Sequence, residues 1–329
     1  MKVLLTGATG FLGSRILEKL SVRPEINLIR AAARTERSWR QVDQSNVTYL
    51  YGDLTDPAYV DDLVDGCDAV LHTAALSSPW GFYEDFYKAN VKVQHLLLDA
   101  AKKHGVKRFV YVSTPSMYFE LKDKWMIKET DALPDRFINA YATTKREAEV
   151  ALEKSEIPYV SIRPRALLGR GDTIIMPRII RACDEGKLRV IGSGKNKVDL
   201  TPVSNVADAA ILGLFAAENG LNQVYNISNG APVELWDKIN EVLGKLGKKL
   251  PSRSLPSWLV LNLARIMEMK SRLTDNKEPA LTVYGVGTLT HSFTMDITKA
   301  KTLLGYEPMQ TVEDAIDEFV DWYRTHEEH

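Results

Sequence analysis

Only two of the 329 residues are cysteine, Cys67 and Cys183. Two thiols so far apart exclude a disulfide framework and a zinc ribbon, so the chain is expected to hold no metal and to sit in a reducing, cytoplasmic compartment. An excess of one charge is missing too. With 42 basic and 43 acidic residues, no long-range field recruits nucleic acid or an anionic membrane, and any phosphate must be gripped by a local site. That balance suits a small, near-neutral substrate. No charged leader and apolar stretch precede the first strand-like run, KVLLTG at residues 2–7, so no secretory signal is expected. The most apolar helical stretch, LPSWLVLNLARIMEMK, is broken by Asn262 and Arg265, short of the roughly 20 residues that a bilayer span needs, and no stable membrane insertion is expected. Internal repeats and low-complexity tracts are absent.

The chain does have a rhythm. Short apolar runs at 3–5, 26–33, 69–72, 109–112 and 159–162 alternate with helical patterns around 11–20, 57–65, 85–104 and 141–155. Strand, helix, strand at that period predicts an α/β fold with a parallel sheet covered on both faces. After about residue 170 the rhythm breaks into loops (GRGD, GSGKNK), a strand-like QVYNIS, and helical stretches at 204–217, 233–246, 256–269 and 311–325. The expected organisation is a first domain over 1–170 and a smaller, mostly substrate-binding lobe over 171–329. Segments near 198–230 are expected to return to the first domain.

VLLTGATGFLG places Gly7, Gly10 and Gly13 between the first strand and an amphipathic helix. A turn this tight needs glycine's dihedral freedom, and a pyrophosphate needs the backbone close to it. The helix that follows offers free amides and its positive dipole end. This element, with Thr9, Phe11 and Leu12 beside the glycines, predicts a dinucleotide site on a Rossmann-type doubly wound sheet. At the end of the second strand a carboxylate would bind the ribose of NAD, and an arginine would accept the 2′-phosphate of NADP. INLIRAAART ends on Ala33 and Arg34 with no carboxylate. Arg34, helped by Arg37, Ser38 or Arg15, favours NADP, with NAD as the alternative. YGDL offers Asp53 to the adenine amine and Leu54 to its ring. LHTAA puts Thr73, Ala74 and Ala75 where small side chains let a cofactor approach the backbone. His72, with no carboxylate or cysteine near it in sequence, reads as a core histidine.

NAYATTKREAEV carries Tyr141 and Lys145 four residues apart, which puts both on one helix face. A tyrosine's pKa near 10 is too high for a base at neutral pH, and a cation held beside it would favour the phenolate. VYVSTPSMYF ends the fifth strand at Val112 and sets Ser113, Thr114 and Ser116 at the sheet's carboxyl edge, where open α/β sheets bind ligands. Hydroxyl, tyrosine and lysine are therefore expected to share that edge.

TGATGFLG, YGDL, HTAA, VSTPSMY, YATTK and IRP occur in the order and at the spacing of the extended short-chain dehydrogenases/reductases, and the resemblance covers nearly the whole chain. ALSSPWGFYEDFYKANV, ALPDRFINAYATTKREAE, LPSWLVLNLARIMEM and FTMDITKAKTLLGYEP look most like the branch of 3β-hydroxysteroid dehydrogenases and bacterial 3-oxo-acyl reductases. The resemblance implies an NAD(P)-dependent oxidoreductase that interconverts a ketone and a secondary alcohol. It implies Tyr141 as general acid/base, Lys145 as its electrostatic partner and a ligand of the nicotinamide ribose, and Thr114 as the hydroxyl on the substrate oxygen. It also implies that Pro164 and Ala166 lie in the loop against the nicotinamide, and that helices 85–104 and 141–155 pair subunits into a homodimer.

There are departures from the family's pattern. Val93 and Gln94 follow KANV where glycine and threonine are usual, which weakens the functional reading of Asn90. Pro115 and Ser116 replace the acidic pair of the dehydratases, and Val198 replaces an arginine of the sugar-nucleotide epimerases. An epimerase with a retained cofactor is the alternative reading, and a nonenzymatic NADP-sensing protein a further one. For the substrate, SSPWGFYEDFY brings Ser78, Trp80, Phe82, Tyr83, Phe86 and Tyr87 after the fourth strand; with Ser116 these suit an apolar carbonyl or alcohol, or else pack the lobes together. The helical stretch carrying Leu259, Leu263, Ile266 and Met267 is expected to roof the pocket, with contact to a membrane surface as the alternative.

Overall fold

The computed structural model describes residues 1–326 except 37, 252 and 275. Arg37, an expected helper of Arg34, and the Ser38 side chain lie outside what is described. KVLLT becomes β1 (Lys2–Thr6), and Val3 to Thr6 are buried on both faces, as a central parallel strand requires. It pairs with β2 (Leu28–Ala33) and β4 (Ala69–His72). With β3 (Val47–Tyr51), β5 (Arg108–Val112), β7 (Tyr159–Pro164) and β12 (Gln223–Ile227) these form a seven-stranded parallel sheet in the order β12-β7-β5-β4-β1-β2-β3. Strand order reverses between β1 and β4, which opens a crevice at their carboxyl ends.

On one face α1 (Phe11–Ser21), α7 (Val203–Leu214) and α11 (Thr298–Leu304) bury Ile16, Leu17, Val206 and Ala210 against Val3, Leu5 and Val110. On the other α2 (Pro57–Val64), α4 (Val93–Lys103) and α5 (Ala140–Glu153) bury Leu63, Leu97 and Leu152 against Leu4, Val70 and Phe109. β12 and α7 both come from beyond residue 200, so the later part of the chain closes the edge and one face of the first sheet.

A second sheet has the order β13-β10-β15-β6 and is made of β6 (Lys124–Ile127), β10 (Lys197–Val198), β13 (Val233–Glu234) and β15 (Phe293–Met295). Two short pairs stitch loops together: β8 (Leu167–Leu168) with β11 (Thr201–Pro202), and β9 (Val190–Ile191) with β14 (Ser254–Leu255). Around them α6 (Ile175–Asp184), α8 (Leu235–Lys245), α9 (Ser257–Leu273), α10 (Val283–Thr290) and α12 (Val312–His326) enclose a second core that includes Ile180, Trp236, Ile239 and Phe319.

Two expectations change. The helix read over 85–104 is α3 (Tyr83–Phe86), a π-helical turn (Tyr87–Lys92) and then α4. The wide turn holds the buried Asn90, and such turns recur where a helix gives up regularity for a site. The second change concerns α9, which buries Val260, Ala264 and Ser271 and turns Leu259, Leu263 and Ile266 to solvent. Its small-residue face does the packing, so those three residues do not roof a pocket.

Candidate active site

The glycine turn is built around missing side chains. Gly7 has φ +72°, and a Cβ there would stand 2.7 Å from Thr73 Oγ1 and 2.9 Å from the Ala74 nitrogen. A Cβ on Gly13 would lie 2.0 Å from the Gly7 carbonyl oxygen, so α1 can begin against the turn only because residue 13 has none. Gly10 donates to that carbonyl at 2.8 Å and caps α1 without any side-chain bond. The first-turn amides are thus left to an anion, and the cradle fits a dinucleotide pyrophosphate. Leu12 packs into the core and Phe11 rests half-buried against it. Thr9 donates to the Thr35 carbonyl at 3.3 Å, and the buried Arg40 donates to the Thr9 carbonyl at 3.1 Å and to the Gly171 carbonyl. Arg40 therefore ties the phosphate turn to the loop after β8.

Arg34 is exposed directly after β2. Asp53 is exposed after β3, and the Thr55 amide, at 2.9 Å, and hydroxyl hold its carboxyl below the usual range, with a small contribution from the charge of Arg34. Leu54 is half-buried nearby in sequence. Arg15 does not join Arg34: its guanidinium bonds Glu18 at 2.8 Å and lies 4.0 Å from Glu318. At the end of β4 the Thr73 hydroxyl donates to the Thr6 carbonyl at 2.7 Å, Ala74 is half-buried and Ala75 exposed. His72 is a core residue: its Nδ1 meets the Thr6 hydroxyl at 2.6 Å, its ring stacks on Tyr111, and burial pushes its pKa down to about 3.

Tyr141 and Lys145 stand on α5, which starts where the Asn139 side chain accepts the Ala142 amide. Burial raises the Tyr141 pKa above its ordinary value, outweighing the nearby side chains of Ser77 and Thr114, which pull it down. Lys145 donates to the Val112 carbonyl at 2.6 Å, and its ammonium lies 4.2 Å from the centre of the Tyr111 ring. Burial pulls its pKa down to about 7, against the pull of Glu149. The expectation that Lys145 shifts Tyr141 toward the phenolate is not met here, because both groups are desolvated and the ammonium is directed to Val112.

Thr114 caps a short 3-10 turn (Pro115–Tyr118), accepting the Ser116 amide at 3.2 Å and donating to the Ser116 hydroxyl at 3.0 Å. Ser116 in turn meets the Tyr284 hydroxyl of α10 at 2.8 Å. The carboxyl edge is thereby joined to the second lobe by a row of hydroxyls. Behind α5 the buried Glu149 accepts from Arg163 of β7 and, at 3.0 Å, from Ser161. Arg163 also donates to the Tyr118 hydroxyl. This network fixes the helix that carries Tyr141 against the strand that leads into Pro164. Ala166 follows with φ +40°, a strained angle for alanine. The loop is held by Arg165 N to the Ile227 carbonyl at 3.0 Å and Thr201 N to the Ala166 carbonyl at 3.0 Å.

The expected substrate residues divide. Ser78 closes a turn on Trp80, and it is its neighbour Ser77 that pulls on the pKa of Tyr141. Trp80 donates to the Asn276 carbonyl at 3.0 Å beneath the guanidinium of Arg272. The Tyr83 hydroxyl donates to Glu147 on an outward face of α5 and is not brought to the reacting edge. Phe86 is buried with its ring 6.4 Å from that of Tyr141, while Phe82 and Tyr87 are exposed. Ser77, Tyr284 and Asn90 were missed or under-read. Asn90 accepts the Leu76 amide at 2.8 Å and donates to the Thr144 hydroxyl at 3.1 Å, stapling the loop after β4 to α5. Ser77 sat one residue from Ser78, whereas no local pattern points to Tyr284.

Comparison with known proteins agrees with this geometry. The family model of the NAD dependent epimerase/dehydratase family matches residues 3–228. A 2-alkyl-3-oxoalkanoate reductase of Stenotrophomonas maltophilia is 30% identical over 96% of this chain and 97% of its own. A decarboxylating sterol-4-alpha-carboxylate 3-dehydrogenase of Candida albicans is 30% identical over 97% of each. The crystal structure of gox2253 superposes with a TM-score of 0.80 at 26% identity, covering 98% of each chain. The chain belongs to the NAD dependent epimerase/dehydratase family, as an enzyme of the extended short-chain dehydrogenase/reductase type on the branch of the 3β-hydroxysteroid dehydrogenases and 3-oxo-acyl reductases.

Proposed function

We propose that this enzyme interconverts a ketone and a secondary alcohol on an apolar, steroid-like or 3-oxo-acyl substrate, with NADP preferred and NAD as the alternative. The observation that carries the reading is that α5, with Tyr141 and Lys145 one turn apart, packs against the short turn that Thr114 caps at the carboxyl edge of the sheet. The dinucleotide, when bound, supplies the redox chemistry. Gly7, Gly10 and Gly13 would hold its pyrophosphate, Arg34 a 2′-phosphate, and Asp53 and Leu54 its adenine. Thr73, Ala74, Ala75, Val112, Pro164 and Ala166 would line its path to Tyr141. The Thr114 hydroxyl bonds the carbonyl oxygen, and Tyr141 gives that oxygen its proton as the alcohol forms. Lys145, one turn along α5 from Tyr141, would hold the nicotinamide ribose.

The names of the relatives above support an apolar oxo-acyl or sterol-like substrate. Pro115 and the buried Val198 stand where dehydratases and sugar-nucleotide epimerases place charge, which supports an oxidoreductase over either. The reading includes a cofactor domain over 1–170 with residues near 198–230 returning to it, a substrate lobe over the rest, a cytoplasmic location, and a homodimer paired through α4 and α5. A panel of a 2-alkyl-3-oxoalkanoate, a 3-ketosteroid and a nucleotide sugar, each with NADPH and with NADH, tests it. Net consumption of NADPH with one of the first two is expected. Isomerisation of the nucleotide sugar with no net cofactor consumption would overturn the reading in favour of an epimerase.

A further inference from the structure

The helix α9 is amphipathic in the wrong sense for a surface helix. At about 100° per residue, Trp258, Leu259, Leu263, Ile266, Met269 and Leu273 fall within an arc of roughly 140° that also holds the exposed Asn262 and Lys270, opposite the buried Val260, Ala264 and Ser271. All six point outward, with Trp258 65%, Ile266 58% and Leu273 80% exposed. An ordinary surface helix hides such residues, and so many exposed on one face mark an interaction surface.

The margins of the stripe identify what covers it. Arg265 and Arg272 flank one side, Lys270 lies just inside the other edge between Leu259 and Leu263, and the exposed Arg253 stands just before the helix. Among the described residues no carboxylate pairs with these four. Arg265 bonds only the Asn262 amide oxygen, and Arg272 lies over the Trp80 ring. The acidic groups nearby are engaged: Glu268 accepts the Val283 amide at 2.7 Å, and Glu278 is paired with Arg178. An apolar stripe with a tryptophan at one end and cations on both margins matches an anionic lipid surface, into which apolar side chains sink while cations meet phosphates.

We propose that α9 docks this enzyme on anionic lipid bilayers, lying in the plane of the headgroups without crossing the membrane. The docking face adjoins the reaction site. The carboxyl end of α9 contacts Trp80 in the loop after β4, and Glu268 holds the first turn of α10, whose Tyr284 meets Ser116. The geometry of the helix stands apart from the reductase reading; if that reading also holds, an apolar substrate can pass from the bilayer to the cleft without crossing water.

The test is co-sedimentation of the purified full chain with phosphatidylcholine vesicles and with vesicles containing about a third phosphatidylglycerol. Binding to the anionic vesicles is expected to exceed binding to the neutral ones by at least about tenfold and to fall with salt. Leu263→Asp/Ile266→Asp and, separately, Arg265→Glu/Lys270→Glu should each abolish it, while melting temperature and NADPH binding stay as in the wild type, since the altered side chains touch neither core nor cofactor cradle. Failure of the wild type to sediment at low salt overturns the proposal, as does equal binding by the variants. If light scattering shows a wild-type dimer that Leu263→Asp/Ile266→Asp turns into monomers, a second copy covers the face and the proposal falls.

Discussion

Replacing Lys145 by methionine should make the protein more stable and almost inactive. Lys145 is 2% exposed, and burial pulls its pKa from 10.5 to about 7. The unfolded chain binds a proton up to about pH 10, while the folded chain has begun to release it at pH 7, so the unfolded state is favoured by about 4 kcal/mol at pH 7 relative to an unperturbed lysine. Methionine removes that cost at similar length. It also leaves the Val112 carbonyl without the 2.6 Å bond from Nζ, a loss of roughly 1–3 kcal/mol. The expected net gain is about 2 kcal/mol at pH 7. The sign of the pH dependence follows from the lowered pKa: above pH 7 the unfolded state holds more protons than the folded state, so wild-type stability rises with pH. The advantage of the variant should therefore shrink by about 2 kcal/mol between pH 7 and pH 9. Urea unfolding of both forms at several pH values measures this directly. A variant less stable than wild type at pH 7, or a gap that does not change with pH, would refute the reasoning.

Other consequences are as direct. Gly13→Ala sets a Cβ 2.0 Å from the Gly7 carbonyl oxygen, so fluorescence titration should show cofactor binding weakened by at least about tenfold. Arg34→Ala should reduce the preference for NADPH over NADH by about tenfold, or 1.4 kcal/mol, with NADH binding unchanged in the same titration. Glu149→Gln leaves the buried guanidinium of Arg163 without its carboxylate and should lower stability by about 3–5 kcal/mol in denaturant unfolding.

The parallel sheet was legible because its strands are continuous apolar runs between helical patterns. Val3–Leu5 and Tyr159–Ile162 are buried on both faces, so composition alone marks them. The glycine turn was legible for a related reason, since backbone atoms stand too close for a Cβ at positions 7, 10 and 13. The second sheet was not, because β10 and β13 have two residues each and pair with partners distant in sequence. A two-residue strand has no period to read. Arg15 illustrates the same limit: one of its two carboxylates is Glu318, and nothing near residue 15 announces it. Tyr284 reached the site through the docking of α10, a tertiary event with no local signature. The stripe on α9 was read correctly as amphipathic, but periodicity gives a face and not its direction, and here the small residues took the core.

The measurement that tests the account most directly compares wild type with Tyr141→Phe, following steady-state reduction of the best ketone in the panel together with NADPH affinity by fluorescence. The account predicts unchanged affinity and turnover lower by at least about a hundredfold, the usual contribution of a positioned acid/base. Turnover close to wild type, with the cofactor bound normally, would contradict it.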